Sequence, residues 1–380
     1  METMKLAVVA ETIPGENRVA TVPDAVQRLI GAGWDVHIQS GSGVHAQFTD
    51  SMYEQAGATV SPDVESVLQG AVMVARVRPP SVSEAAMLPE GTSVVSFLQP
   101  AADRETIKVL MSRKVTAYSL DLLPRISRAQ SMDALSSQAT VAGYRAALAA
   151  ATMLGKFFPM FMTAAGTVPP AKVLVMGAGV AGLQAIATAK RLGAQVRAYD
   201  VRAAAKEEVE SLGATFINLG LETQEAAGGY AREQSEEFLA RQRELIGKEI
   251  AVSDAVITTA AIPGRRAPLL VTKEMVEGME PGAVVVDMAA DSGGNCEVTE
   301  AGSDVLVGRV TVRGLSNPPS SMPTHASFLY ARNIASFLGL LVKDGEFSPD
   351  FDDEIVSGTC VTRNGRIPND ALSAAVNGEG

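Results

Sequence analysis

The stretch Lys172-Val-Leu-Val-Met-Gly177-Ala-Gly179-Val-Ala-Gly182 joins an apolar, β-branched run to the glycine pattern G-x-G-x-x-G. A helical pattern follows, and a second apolar run then ends in the carboxylate of Asp200. Glycine is common, so the pattern alone is a weak signal, but its position between a strand and a helix makes it a strong one. The stretch therefore predicts a strand, a glycine turn, a helix and a second strand, the unit that binds a dinucleotide.

Each glycine of this turn has its own physical role. Gly177 permits the sharp turn out of the strand, Gly179 leaves room for a pyrophosphate against the backbone, and Gly182 lets the helix pack closely on the strand. The N–H groups at the helix N-terminus would hold the phosphates. A glycine turn in an α/β domain that binds no ligand is the alternative. The predicted cofactor contacts are Gly177, Ala178, Gly179, Val180, Ala181 and Gly182.

The end of the second strand indicates which dinucleotide is bound. Asp200 lies 18 residues after Gly182, near the spacing of about 20 expected for the acid that binds the adenosine ribose hydroxyls. A carboxylate there repels a 2′-phosphate, which favours NAD(H). Arg202 argues the other way, because an arginine can accommodate that phosphate, but it can also point to solvent. Asp200 occupies the strand end and decides the prediction, with Val201 and Arg202 as further contacts.

The length of the chain predicts two domains. Its 380 residues, 47% of them hydrophobic, exceed one usual hydrophobic core. Strand patterns alternate with helical patterns on both sides of the glycine turn, so we expect two α/β domains, each a doubly wound, Rossmann-like parallel sheet, with a cleft between them. A helical pattern at 326–342 suits packing on the first domain. The predicted domains are 1–134 with 322–380, and 135–321.

The composition argues against several classes of function. A net charge of −11 disfavours nucleic acid as a partner. Cys296 and Cys360 are the only cysteines, which excludes a disulfide framework or cysteine metal cluster and fits a reducing compartment. The three histidines lack ligand spacing, and no metal is expected. The closest approach to a membrane span, 141–162, carries Arg145 and Lys156 and is interpreted as a packed helix. The N-terminus has no signal-peptide pattern.

A polar segment, Pro124-Arg-Ile-Ser-Arg-Ala-Gln-Ser-Met-Asp133, precedes a long helical pattern that starts near Ser136. We call residues 125–136 the polar loop. It crowds two arginines, an amide, a carboxylate and hydroxyls together, as a binding site would. A plain polar linker, in which Asp133 or Ser136 caps the helix, explains the same residues, and both interpretations stay open.

Two later stretches would border a bound nucleotide. Ala227-Gly-Gly-Tyr230 has no periodicity and predicts a flexible flap, with a helix-entry turn as the alternative. Ala260 and Ala261 follow a strand pattern and precede a Pro-Gly turn, where dinucleotide domains wall off the cofactor. The predicted contacts in these stretches are Gly229, Tyr230, Ala260 and Ala261.

Together these stretches resemble the NAD(H)-binding component, domain I, of proton-translocating NAD(P) transhydrogenase, in the form where it is a separate alpha-1 subunit. The resemblance covers nearly the whole chain, and segment 124–133 is its most specific portion. The other matching stretches are Met162-Thr-Ala-Ala-Gly-Thr-Val-Pro-Pro170, Gly177 to Gly193, Asp200-Val-Arg202, Ala227-Gly-Gly-Tyr230 and Ser357-Gly-Thr-Cys-Val-Thr-Arg363.

The resemblance implies roles for the polar loop. Arg125, Asp133 and Ser136 would orient the dihydronicotinamide, while Gln130 reaches toward the ribose of NADP(H) on a partner; these four are the expected catalytic residues. The flap with Tyr230 would close over bound nucleotide. The loop residues expected to contact NAD(H) are Arg125, Ile126, Ser127, Arg128, Gln130 and Ser136.

The resemblance also implies an assembly. The expected partners are a second copy of this chain, forming a homodimer, a beta subunit that binds NADP(H), and a membrane domain that conducts protons. A component of this kind would be cytoplasmic and peripheral on the inner face of the cytoplasmic membrane. Because the acceptor nucleotide binds elsewhere, the chain would need these partners for turnover.

Alanine dehydrogenase, a related family with the same fold, supplies the main alternative. Its reaction requires a proton acceptor and a carboxylate clamp, met in that family by a lysine and a histidine. In the corresponding stretches this chain has Arg76, which cannot act as a base, and Gln99, which cannot titrate. Arg18 remains, but alone it would only bind an anion. Hydride transfer between two nicotinamides needs no proton acceptor, only rings held about 3–3.5 Å apart with water excluded. A silent NADH-binding regulator is a third interpretation.

Overall fold

The computed structural model describes residues 4–219, 236–261 and 266–377. The chain divides into two compact units, Met1–Gln138 with Ser320–Gly380, and Ala139–Pro319. Within the described residues each unit contains one seven-stranded sheet.

In the described parts of the chain the strands are β1 (Met4–Val8), β2 (Trp34–Gln39), β3 (Thr59–Ser61), β4 (Met73–Ala75), β5 (Ser93–Ser96), β6 (Thr116–Ser119), β7 (Phe161–Thr163), β8 (Gly166–Val168), β9 (Lys172–Met176), β10 (Gln195–Tyr199), β11 (Thr215–Phe216), β12 (Ala255–Thr258), β13 (Val284–Asp287), β14 (Asp304–Val307), β15 (Val310–Gly314), β16 (Val342–Lys343), β17 (Glu346–Phe347) and β18 (Cys360–Thr362). The helices are α1 (Pro23–Gly31), α2 (Asp50–Gln55), α3 (Val64–Leu68), α4 (Val82–Met87), α5 (Arg104–Ser112), α6 (Ala134–Met153), α7 (Val180–Arg191), α8 (Ala205–Ser211), α9 (Glu236–Ala251), α10 (Lys273–Glu277), α11 (Pro323–Leu340), α12 (Glu354–Thr359) and α13 (Asp370–Asn377). A 3₁₀ segment, Ser127–Met132, lies within the polar loop.

The sheet of the first unit has the strand order β18-β6-β5-β4-β1-β2-β3. All neighbours are parallel except β18, which runs antiparallel to β6 at the edge. Leu6 and Val8 of β1 join one buried cluster, while Ala7 belongs to the cluster on the opposite face. Burial on both faces explains the continuous apolar strands, because helices cover each side of a doubly wound sheet.

The second unit repeats this plan with the order β11-β10-β9-β12-β13-β15-β14. Its strands are parallel except β14, which pairs antiparallel with β15. The strand order reverses between β9 and β12, and in such sheets ligands bind outside the carboxyl ends of the strands at this reversal. The prediction of two doubly wound, Rossmann-like parallel sheets is confirmed.

Helix α11 returns the chain to the core of the first unit. It begins with Pro323 in its first turn, where the missing N–H costs no hydrogen bond, and ends at Leu340, close to the predicted 326–342. Tyr330, Ile334 and Phe337 are fully buried on one face. Their spacing of three and four residues is that of a helix packed on a core.

An exposed hairpin formed by β7 and β8 was not predicted from the sequence. Every residue of both strands is exposed. Met162 is 77% exposed, and Phe157, Met160 and Phe161 beside it are also exposed.

In the described residues no helix combines the length and apolar character needed to cross a membrane.

Candidate functional site

The glycine turn after β9 is fixed by backbone packing. Gly177 has φ of 99°, and its N–H donates to the carbonyl of Tyr199 at 2.8 Å. A Cβ at Gly177 would lie 2.6 Å from Thr259 Oγ1, and one at Gly182 would overlap the carbonyl of Gly177. Both positions therefore require glycine on packing grounds alone.

Gly179 differs from the other two glycines because it faces open space. No atom lies within 4 Å of a Cβ built there. It is the N-cap of α7, and both it and Val180 are exposed. The first N–H groups of a helix have no partner inside the helix. The turn thus offers free donors, the helix dipole and a space without side chains, which is the set that a pyrophosphate needs.

Asp200 is held at the end of β10 by four hydrogen bonds. Its carboxylate accepts from the N–H of Ala178 at 2.7 Å and from the N–H of Arg202 at 2.8 Å. The guanidinium of Arg202 donates to the same carboxylate at 3.0 and 3.1 Å. The expectation that Arg202 can point to solvent is wrong in this structure, because the side chain folds back onto the acid. The partly buried Val201 packs against the neighbouring core cluster.

The opposite wall of the strand reversal is built after β12. Thr259 Oγ1 donates to the carbonyls of Met176 and Gly177 at 3.3 and 3.1 Å, which ties the two strand ends together. Ala260 is partly buried and Ala261 is exposed. These positions border the glycine turn, since the N–H nitrogen of Ala260 lies 3.3 Å from a Cβ built on Gly177.

Asn295 supports this wall and was missed in the sequence. Its buried amide donates to the carbonyls of Ala260 and Pro268, each at 2.8 Å. Two glycines with positive φ, Gly293 and Gly294, precede it and form the turn that brings it there. The glycine pair indicates a turn at this point of the sequence. The partners of Asn295 lie about 30 residues away, however, and no local pattern identifies them.

The polar loop lies in the first unit. Ile126 is partly buried against the core, whereas Arg125, Ser127 and Gln130 are exposed. Arg128 donates to the carboxylate of Asp353 at 2.5 and 3.2 Å. The amide of Gln130 hydrogen-bonds to none of the described residues, so it is available to a ligand.

Asp133 caps helix α6. Its carboxylate accepts from the N–H of Ser136 at 2.9 Å and from the Ser136 hydroxyl at 2.6 Å. This is the bond from N-cap to N3 that stabilises a helix start. The capping interpretation is therefore confirmed for Asp133. The cap therefore fixes the orientation of the Ser136 hydroxyl.

The predicted site residues divide between the two units. Arg125 to Ser136 lie in the first unit, and the glycine turn, Asp200 to Arg202, Ala260 and Ala261 lie in the second. Gly229 and Tyr230 lie outside the described residues. The described ranges contain no group of three His, Cys, Asp or Glu residues suited to a metal ion.

Arg18, the expected anion-binding residue, is buried and paired. Its Nε and Nη2 donate to the carboxylate of Glu16 at 2.7 and 2.6 Å, and its Nη1 donates to Gln138 at 2.8 Å. The charge of Arg18 is thus neutralised inside the unit. It is not available as a clamp for a substrate carboxylate unless this network is broken.

Arg76 is also enclosed by acids. Its Nη1 donates to Glu84 at 2.9 Å, and its Nη2 lies 3.8 Å from Glu11. Burial raises the pKa of the Glu11 carboxyl, which also accepts from the N–H groups of Val77 and Arg78. The guanidinium that follows β4 is therefore buried within the unit beside two carboxylates.

Two family models match the chain. They describe the alanine dehydrogenase/PNT N-terminal domain, over residues 7–142, and the C-terminal domain, over residues 146–370. A relative from Rhodospirillum rubrum, the first portion of its NAD(P) transhydrogenase subunit alpha, is 49% identical to this chain, covering 97% of it and 99% of the relative. The chain belongs to the NAD(P) transhydrogenase alpha-subunit family.

Solved structures of a transhydrogenase and of an alanine dehydrogenase both have the fold of this chain. The transhydrogenase from Sinorhizobium meliloti has a TM-score of 0.87 and 44% identity, covering 96% of this chain and 99% of the other. An L-alanine dehydrogenase has a TM-score of 0.82 and 26% identity, covering 99% of both chains. Because the two share a fold, the fold alone does not distinguish their chemistry.

Proposed function

We propose that this chain is the NAD(H)-binding component of a proton-translocating NAD(P) transhydrogenase, an oxidoreductase that passes hydride from NADH to NADP⁺ on a partner subunit. One observation carries the proposal: the cationic side chains Arg18 and Arg76, where amine oxidation would need a clamp and a base, are buried beside the carboxylates of Glu16, Glu11 and the partly buried Glu84. The second unit nevertheless keeps a full dinucleotide turn. Such a chain binds the redox nucleotide without providing for a substrate proton.

The residues of the second unit fit NAD(H). The open space at Gly179 and the first N–H groups of α7 receive the pyrophosphate. Asp200 binds the ribose hydroxyls and repels a 2′-phosphate. Arg202, paired with Asp200, is neutralised and does not attract that phosphate. Ala260 and Ala261 line the nucleotide on the other side of the strand reversal.

The polar loop orients the nicotinamide in this proposal. Bound NADH supplies a hydride at C4, which leaves with the electrons of its C–H bond and forms a new C–H bond on the acceptor ring. Arg125 and Ser136 hold the ring and its carboxamide, with Asp133 fixing Ser136 through the cap. The exposed amide of Gln130 reaches toward the NADP(H) ribose. No side chain takes a proton, so the contribution of these residues is positioning.

The proposed partners follow from the role of an alpha subunit. A beta subunit carries NADP(H), a membrane domain conducts protons, and this chain lies peripherally on the cytoplasmic face of the membrane. A second copy covers the exposed hairpin of β7 and β8. A two-stranded hairpin with exposed apolar side chains is marginal in water, which supports a homodimer contact there.

Isotope transfer tests the proposal. The chain is mixed with a purified NADP(H)-binding component, NADP⁺ and NADH deuterated at C4, each C4 position in a separate run. Deuterium from one position should be retained fully in NADPH, because the hydride never meets water. Appearance of solvent hydrogen in NADPH, or NADH oxidation by this chain alone with pyruvate and ammonia, would overturn the proposal in favour of a dehydrogenase.

A further inference from the structure

Helix α11 holds the polar loop through one buried side chain, Asn333. Asn333 is 7% exposed. Its Nδ2 donates to the carbonyl of Ser131 at 2.9 Å, and its Oδ1 accepts from the Ser137 hydroxyl at 2.7 Å. One planar amide therefore bonds to the chain on both sides of Asp133.

The two bonds fix the neighbours of the proposed site residues. Ser131 directly follows Gln130, and Ser137 directly follows Ser136. A carboxamide supplies one donor group and one acceptor at a set separation, whereas aspartate lacks the donor and leucine lacks both. Asparagine is thus suited to setting the distance between Ser131 of the polar loop and Ser137 of helix α6.

The helix that carries Asn333 is itself anchored. Ile334, the next residue, is fully buried, and the Tyr330 hydroxyl donates to the Arg76 carbonyl at 2.8 Å. A second brace runs beside the first, because Gln138 donates to the Ala326 carbonyl of α11 at 3.0 Å. Asn333 therefore holds the polar loop at a set position relative to the buried helix α11.

We propose that Asn333 is a positioning residue for hydride transfer, which sets where Gln130 and Ser136 stand without touching either nucleotide. The inference rests on the proposed function of the polar loop. A displacement of about 1 Å at a reacting centre can lower a rate about 100-fold, so loss of this clamp should appear in the transfer step. NADH affinity comes mainly from the second unit and should change little.

Two substitutions at Asn333 test this in the complex with the NADP(H)-binding component. Asn333→Leu removes both bonds, and Asn333→Asp keeps the acceptor for Ser137 while losing the donor to Ser131. We expect the rate constant of hydride transfer to fall about 10- to 100-fold in each. The NADH dissociation constant should stay within about twofold of the parent value. Ser137→Ala removes the bond to Asn333 Oδ1, together with the longer bonds of that hydroxyl to Ala134 and Gln138, and should show the same kind of loss.

The matched control is Ser327→Ala, also in α11. Ser327 is fully buried and its hydroxyl accepts from the N–H of Val19 at 3.0 Å, away from the loop. It should lose thermal stability comparably while keeping the transfer rate. If the Asn333 variants keep the parent transfer rate, or lose NADH affinity in proportion to rate, the positioning role is wrong. If the parent complex transfers no hydride, it is the proposed function that fails.

Discussion

Gly143 of helix α6 and Ala181 of helix α7 meet backbone to backbone: a Cβ built on residue 143 would overlap the Ala181 carbonyl. Ala181 lies in the first helical turn after the glycine loop. The proposed phosphate donors are thus packed directly against α6.

Gly143→Ala tests this contact. The added methyl must push the two helices apart, so the free energy of unfolding should fall by about 1–3 kcal/mol, as for other overpacked sites. NADH binding should weaken as well, because the donors move. Chemical denaturation and fluorescence titration measure the two effects. Gly155→Ala is the control, since no atom lies within 4 Å of its Cβ position; equal effects in both variants would contradict the packing argument.

Asp200→Ala should lower the discrimination against NADPH. It removes the carboxylate that repels a 2′-phosphate and releases the guanidinium of Arg202 to bind one. The preference should shift by about 1.5–3 kcal/mol, the range for hydrogen bonds to charged groups. Dissociation constants for NADH and NADPH measure the shift. The double variant Asp200→Ala/Arg202→Ala should gain no NADPH affinity; a gain equal to that of the single variant would show that Arg202 plays no part.

Gln130→Asn shortens the exposed amide by one methylene group. Hydride transfer to NADP⁺ on the partner should fall about 100-fold, because the proposed contact with the partner nucleotide would be lost. NADH affinity should change little. Single-turnover transfer and NADH titration separate the two. Gln55→Asn, at another exposed glutamine, should change neither quantity. A large loss of NADH affinity in Gln130→Asn would show that Gln130 contacts NADH and not NADP(H).

Met162→Asp tests the proposed homodimer. A charge at this hairpin position, 77% exposed in the single chain, would be buried and unpaired if a second copy covers it. The variant should sediment as a monomer at concentrations where the parent is a dimer. Leu306→Asp, at an apolar residue 70% exposed on β14, should leave the dimer intact. Dimers that persist in Met162→Asp would place the interface elsewhere.

Glu11→Gln should change how stability depends on pH. Burial raises the pKa of Glu11 above its ordinary 4.5, so the folded state binds this proton more tightly than the unfolded chain. Its contribution to stability therefore falls as the pH rises from 4.5 through the raised pKa of the folded state. The free energy of unfolding of the variant, relative to that of the parent, should therefore increase as the pH rises across that window. Urea unfolding at several pH values measures the difference, and a constant difference would contradict the raised pKa.

The parts of the fold set by local patterns could be predicted. The glycine turn, the strand ending before Asp200 and the helix 104–112 capped by Asp103 all follow from neighbouring residues. Ser61 has a side chain that suits a helix cap, but it pairs with Gln39 in strand β3, and Asp63 accepts the first N–H groups of α3 instead. A strand pairing made by a distant segment outweighed the local propensity.

The supports of the candidate site could not be predicted in this way. Asn333 reaches Ser131 across about 200 residues of sequence, and Asn295 reaches Ala260 across 35. An asparagine in a helix or turn has no pattern that names its distant partner. Only the fold brings these amides to the loops that they hold.

At Gly177, Gly182 and Gly143 three stretches of backbone touch with no side chain between them. That corner has no room for a larger side chain. Substitutions that change coenzyme choice are therefore expected at Asp200 and Arg202, which follow β10. Efforts to retarget the enzyme should begin with that pair and leave the turn alone.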